Sequence, residues 1–206
     1  MDAKLKDLII KTNFEQLFQK LGYAYFIKGK YNLNIIGIRN LLEGNKQDNT
    51  FNDVIVCVYR DDNNVLIKNI WECTTDPGIK SLKSFSNSKG CATLMPSQYR
   101  GAYQIGLHQG KYEALVQRKP VKVFRDGNKD DILDFCSKTI DEGMFGINIH
   151  RSNPNTESTI VDGWSAGCVV YKKVDNFNEF MKICHKAKDI YGNSFTFTLL
   201  TTDDLK

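Results

Sequence analysis

The sequence predicts a mainly β fold with flanking helices, of the α+β class. Many short runs of β-branched and aromatic residues are separated by turn residues, and few segments have a helical pattern. A chain of 206 residues can bury one good core, which favours one domain with a small appendage. We predict an N-terminal helix and extension over residues 1–50 and a β-rich domain over 51–206.

Two helices are predicted. Residues 2–21 place apolar side chains near one face, which is typical of an amphipathic helix, and Gly22 can end it. The second is predicted at 176–191, with Asp175 as its N-cap and Gly192 as its stop.

The strands are predicted from alternating or continuous apolar runs bounded by turn residues. The sequence predicts a strand or turn pair within 23–42, and loops at 43–52 and 79–90. The remaining strands are expected at 53–59, 65–73, 91–96, 102–107, 112–117, 121–124, 147–150, 168–171 and 194–200.

Composition excludes several classes of protein. The formal net charge is +4, with no dense run of Lys and Arg interleaved with aromatics, so nucleic acid is not expected as a partner. No segment is apolar for long enough to span a membrane, and the N-terminus lacks the apolar core of a signal peptide. Six scattered cysteines without metal spacing indicate synthesis in a reducing compartment and predict neither a disulfide framework nor zinc.

The chemistry of the chain is concentrated between residues 143 and 171. His150 ends an apolar run, and Ser165, Gly167 and Cys168 follow a polar loop. A cysteine is nucleophilic as its thiolate, and a nearby imidazole is the usual base that forms it. Because glycine allows close backbone approach, the N–H groups of Gly167 and Cys168 are candidate oxyanion donors. Ser165 either orients the imidazole or caps the turn.

This stretch resembles the catalytic motif of the L,D-transpeptidases, the YkuD-like cell-wall enzymes. His150, Ser165, Gly167 and Cys168 match that motif in order and spacing, and the resemblance covers residues 90–190. Two positions differ: Arg151 stands where the family usually has Gly, and Val170 stands where it usually has Arg.

The resemblance implies an L,D-transpeptidase-like catalytic domain whose substrate is a peptidoglycan stem peptide. Cys168 would be the nucleophile, and His150 the general base and then the general acid. It implies no cofactor, and it leaves open whether an amine resolves the thioester into a cross-link or water hydrolyses it. A cell-wall enzyme made in the cytoplasm without a signal peptide fits a bacteriophage product, with virion or other phage proteins as candidate partners. The alternative is a non-catalytic phage virion or cell-wall-binding protein with the same fold.

Other residues are candidates for binding. Arg151, beside the base, could contact substrate. Trp164, beside the nucleophile turn, is either a wall for an extended peptide or a hydrophobic plug, and His108, which also ends an apolar run, either lines the cleft or has a structural role. Asp126, Asn128, Asp130 and Asp134 match the start of a calcium loop, but Ser137 stands where the bidentate Glu is expected. A polar β-turn explains the same four residues.

Overall fold

The computed structural model describes residues 1–46 and 48–206; Gln47, in the loop predicted at 43–52, lies outside them. The helices are α1 (Ala3–Lys11), α2 (Phe14–Leu21), α3 (Ile79–Lys83) and α4 (Val174–Tyr191). The strands are β1 (Asn34–Arg39), β2 (Asp53–Arg60), β3 (Leu66–Thr74), β4 (Cys91–Leu94), β5 (Ser97–His108), β6 (Tyr112–Gln117), β7 (Val121–Asp126), β8 (Ile140–Gly143), β9 (Ile149–Arg151), β10 (Val169–Tyr171) and β11 (Phe195–Thr201). The mainly β class with a few helices is confirmed.

Eight of these strands close into a barrel in the order β1-β11-β5-β6-β9-β10-β3-β2, and β2 pairs with β1 to complete it. Two neighbouring pairs, β1 with β11 and β9 with β10, are parallel, and the other pairs are antiparallel. The remaining strands form a small antiparallel sheet in the order β4-β7-β8. Since β1 lies within residues 1–50, the predicted N-terminal extension contributes one strand of the barrel.

The principal core combines apolar side chains of the barrel strands with one face of α4, including Phe177 and Phe180. A second cluster lies between α1, α2 and the other face of β1 and β2, where Leu5 and Phe18 pack on Ile36 and Val56. Strand β2 is therefore buried on both faces, which explains why its apolar run is continuous rather than alternating.

A buried arginine, paired with an aspartate that follows β3, links the barrel to the small sheet. Arg39, at the end of β1, donates through Nε to Asp76 Oδ1 at 2.6 Å. Its other nitrogens donate to the carbonyls of Thr75 (3.0 Å) and Leu94 (2.9 Å), the latter in β4. Removing one partner of such a pair typically costs about 3–5 kcal/mol, because the other charge stays buried. Because Asp76 holds the Arg39 guanidinium in place, the bond from Arg39 to Leu94 O fixes β4 against the barrel.

Several local predictions need correction. The predicted single helix at 2–21 is two helices, because the Asn13 side chain accepts from Gln16 N (3.2 Å) and caps a new one. The predicted N-cap at Asp175 is wrong: α4 begins at Val174, two residues earlier than predicted, with Lys173 at the N-cap position, and Asp175 lies in its first turn, where a negative charge is favourable. The segment 79–90, predicted as an exposed loop, contains α3, which buries Leu82. Gly22 and Gly192 do end their helices.

In the part of the chain that the structure describes, no helix combines the length and apolar character needed to cross a membrane.

Candidate active site

Strands β9 and β10 bring the two halves of the predicted motif onto neighbouring strands. They are parallel, with Val170 beside His150 and Val169 beside Ile149. Val169 N also donates to Asn148 O at 2.9 Å, so the pairing continues before the strands. Cys168 therefore lies beside Asn148, two residues before the level of His150, which is about 7 Å along a strand.

The imidazole of His150 is buried and has one defined tautomer. Its Nδ1 lies 2.8 Å from Arg151 O, and because a carbonyl only accepts, Nδ1 carries the proton. The Tyr112 hydroxyl lies 3.2 Å from the same nitrogen and also donates to Arg151 O at 3.2 Å. The other nitrogen, Nε2, makes no hydrogen bond within residues 1–46 and 48–206, so it is an available base.

Burial lowers the pKa of His150 to about 3, with smaller contributions from His108 and the Arg151 charge. The imidazole is therefore neutral at neutral pH, which is the form that can accept a proton.

The sulfur of Cys168 is held by backbone groups. Asn148 N donates to Sγ at 3.4 Å, and the thiol donates to Gly146 O at 3.4 Å. Burial raises the pKa of the thiol to about 11, although the side chain keeps partial exposure to solvent. Within the described residues no hydrogen bond joins this sulfur to His150, so the thiol and the imidazole are both neutral and are not bonded to each other.

The turn before Cys168 is held by Ser165 and requires Gly167. The buried Ser165 hydroxyl donates to Cys168 O (2.8 Å) and accepts from Gly167 N (3.2 Å), so its bonds lie within the turn and not with the imidazole. Gly167 has φ +117°, and a Cβ there would lie 2.2 Å from Ala92 O in β4. Because the Gly167 N–H is already bonded, the Cys168 N–H is the better oxyanion donor; it donates to no group in the described parts of the chain.

The candidate binding residues lie in different environments. The Arg151 guanidinium stacks 4.0 Å from the centre of the Tyr112 ring, and Trp164 is exposed near the turn. His108 is buried and stacks on His150, with ring centres 4.0 Å apart. The sequence analysis did not identify Tyr112 or Asn148 as site residues. Tyr112 could have been found, because β5 and β6 are joined by a short turn and the register of such a hairpin pairs His108 with Tyr112.

A groove of about 420 Å³ lies beside the nucleophile turn. It is bordered by Ala166 of that turn, by Met144 and Phe145 before Gly146, and by Ser84 and Phe85 after α3. Cys168 and His150 are not among the residues that line it. A larger cavity of about 500 Å³ lies against α2 and β2.

In the acidic turn, one side-chain oxygen of each candidate ligand accepts a hydrogen bond from another residue of the turn. Asp126 Oδ2 accepts from Asp134 N (3.1 Å), Asn128 Oδ1 accepts from Asp130 N (3.2 Å), and Asp130 Oδ1 accepts from Ile132 N (2.8 Å). Asn128 Nδ2 also donates to Asp134 Oδ2 at 3.0 Å. These bonds fit the polar-turn interpretation, and among the described residues no group of three or more His, Cys, Asp or Glu side chains is arranged to hold a metal ion.

In comparisons with known proteins, no family model, no curated protein and no solved structure matches this chain. Function is therefore inferred from the site itself and from the resemblance of its motif.

Proposed function

We propose that this protein carries out cysteine-dependent acyl transfer on peptidoglycan stem peptides, as an L,D-transpeptidase or L,D-peptidase with an L,D-transpeptidase-like domain. The observation that carries the proposal is the state of His150: a buried neutral imidazole with Nδ1–H fixed and Nε2 unbonded, on the strand next to Cys168. With Nδ1 protonated, Nε2 carries the lone pair that a general base needs.

The reaction begins from the neutral pair. Proton transfer requires the Cys168 thiol to exchange its bond to Gly146 O for one to His150 Nε2, which takes the proton. The thiolate attacks the substrate amide carbonyl, and the Cys168 N–H stabilises the oxyanion. The imidazolium then protonates the leaving amine as the C–N bond breaks, which leaves a thioester on Cys168.

Resolution of the thioester decides the product. Attack by a second amine gives a cross-link, and attack by water gives a cut peptide; both regenerate the thiol. The substrate class comes from the motif resemblance, and a phage origin would favour hydrolysis, because a phage enzyme at the wall has to open it.

The alternative is a non-catalytic phage virion or cell-wall-binding protein. The observation that favours it is the sulfur itself, whose hydrogen bonds go to backbone groups and whose thiol pKa is raised to about 11. A buried, protonated cysteine is typically unreactive.

The test combines turnover with detection of the covalent intermediate. Purified peptidoglycan or a tetrapeptide fragment is incubated with the wild type, with Cys168→Ser and with His150→Ala, and protein and products are analysed by mass spectrometry. We expect an acyl adduct on Cys168 in the wild type, none in the serine variant, and a rate about 10²–10⁴-fold lower in His150→Ala.

Two variants serve as matched controls. Cys136→Ser removes an exposed cysteine, and His185→Ala removes a histidine whose partner is Glu113 on the surface. Both should keep the wild-type rate. If the wild type and Cys168→Ser release fragments at the same rate, Cys168 is not the nucleophile, and the non-catalytic alternative is favoured.

A further inference from the structure

The base of the candidate active site is stacked on a second histidine from another strand. His108, at the end of β5, lies with its ring centre 4.0 Å from that of His150 and an interplanar angle of 20°. Both side chains are buried. Two imidazoles in face-to-face contact cannot both be protonated without strong repulsion, because burial removes the water that would screen them.

The orientation of His108 is fixed by Asn148. Gln117 N donates to Asn148 Oδ1 at 2.9 Å, so the amide nitrogen of Asn148 faces the other way. That nitrogen, Nδ2, lies 3.0 Å from His108 Nδ1. Since an amide nitrogen only donates, His108 accepts at Nδ1 and carries its own proton at Nε2. Asn148 also donates its backbone N–H to Cys168 Sγ, so one residue contacts both the nucleophile and the second histidine.

The titratable and charged groups around the stacked pair come from every element packed against it. His108 and Lys111 belong to β5 and the turn after it, Tyr112 to β6, Arg151 to β9, and Cys168 to the turn before β10. No carboxylate is among the groups that shift either histidine, and the contact that favours the protonated form of His150 is its hydrogen bond to Arg151 O.

We propose that His108 is a positioning residue of the same site, which holds the ring plane of His150 and adds to the burial that keeps this ring neutral, so that Nε2 stays available to the Cys168 thiol. The inference rests on the proposed function. His108 gives and takes no proton in the reaction. The proton moves from Sγ to His150 Nε2 and on to the leaving amine, while the His108 ring stays neutral beside the transient imidazolium.

The experiment follows the imidazole Cε1–H resonances of the intact protein by NMR through a pH titration, in the wild type and in His108→Phe. Phenylalanine keeps a ring on His150 but carries no charge and accepts nothing from Asn148. We expect the pKa of His150 to rise by about one unit or more in the variant, because a neighbouring group that can become positive has been removed. The matched control is His185→Phe, which should leave the His150 resonance unchanged.

A second readout is the rate of Cys168 alkylation by iodoacetamide between pH 3.5 and 5.5. In His108→Phe the rate at pH 3.5, relative to that at pH 5.5, should fall about threefold below the wild-type ratio, since a pKa one unit higher leaves most of His150 protonated at pH 3.5. If His108→Phe does not fold, His108→Gln provides the same test, because its amide oxygen can accept from Asn148 and it carries no charge.

The two hypotheses fail in different ways. An unchanged His150 titration in a folded variant whose Cys168 still reacts overturns the role of His108 alone. If Cys168 of the wild type neither reacts with iodoacetamide nor forms an adduct with peptidoglycan, the proposed function fails, and the catalytic purpose of the stacking fails with it.

Discussion

The motif around His150 and Cys168 and the acidic turn at 126–134 are both rich in polar side chains, but they use their polar atoms differently. In the turn, each of the four candidate ligand side chains has an oxygen that accepts a hydrogen bond from the turn itself. In the motif, one nitrogen of His150 is bonded to backbone and the other is left without a partner among the described residues. The difference shows that a motif indicates chemistry when its reactive atoms are oriented and still unused.

The largest expected difference between the two regions is in stability, when one glycine of each region is replaced by alanine. Gly167→Ala places a Cβ 2.2 Å from Ala92 O at a φ of +117°, so we expect a loss of about 2 kcal/mol or more in the free energy of unfolding, together with loss of activity. Gly127→Ala, in the acidic turn, meets its nearest atom, Lys89 O, at 3.9 Å, which is ordinary contact. It should stay within about 0.5 kcal/mol of the wild type.

Urea unfolding of both variants, followed by circular dichroism, makes this measurement. Equal stabilities would mean that the nucleophile turn is no more constrained than the acidic turn, and the contrast between the two regions would lose its physical basis.

A smaller effect is expected from pH. Burial lowers the pKa of His150 to about 3, whereas in the unfolded chain it titrates near 6.5. Between these values the unfolded state binds a proton that the folded state does not, so the contribution of His150 to stability is present above pH 6.5 and is lost as pH falls. From pH 6.5 to 5 the wild type should lose about 1.5 kcal/mol that His150→Phe does not lose.

Urea unfolding at several pH values in that range measures the difference, with His185→Phe as the control that should follow the wild type. Parallel pH profiles for the wild type and His150→Phe would show that the imidazole is solvated, and the neutral-base interpretation would then be wrong.

The smallest effect is expected from calcium. Because the turn oxygens already accept hydrogen bonds from within the turn, millimolar calcium should leave the melting temperature unchanged, in the wild type and in Asp130→Asn alike. A rise in melting temperature in the wild type that is absent in Asp130→Asn would identify the turn as a metal site after all.

Local patterns predicted most of the strands, because the apolar run of β2 and the valines after Cys168 are properties of contiguous residues, but they missed β8, whose residues are half-buried or exposed. Asn13 shows where such patterns fail: its capping bond divides a stretch that is apolar-periodic from 2 to 21. A local pattern also misplaces the start of α4, because Asp175 is a typical N-cap residue but lies inside the first turn.

The long-range features could not be predicted from one sequence. The stacking of His108 on His150 depends on the order β5-β6-β9, which no local pattern specifies. The contact of Gly167 with Ala92 likewise depends on how β4 is placed against the barrel. The sequence marked these positions as a histidine at a strand end and a glycine beside a cysteine, without indicating their neighbours.

The parallel pairing of β1 with β11 also affects the order in which the barrel can fold. It places Ile35 beside Phe197, so one edge of β1 has no partner until residues 195–201 have been synthesised. An unpaired apolar edge readily recruits strands from other chains, and contacts between residues so distant in sequence form slowly. The barrel therefore closes only once the last strand is present, and until then α1 and α2 can cover one face of β1 but not its open edge.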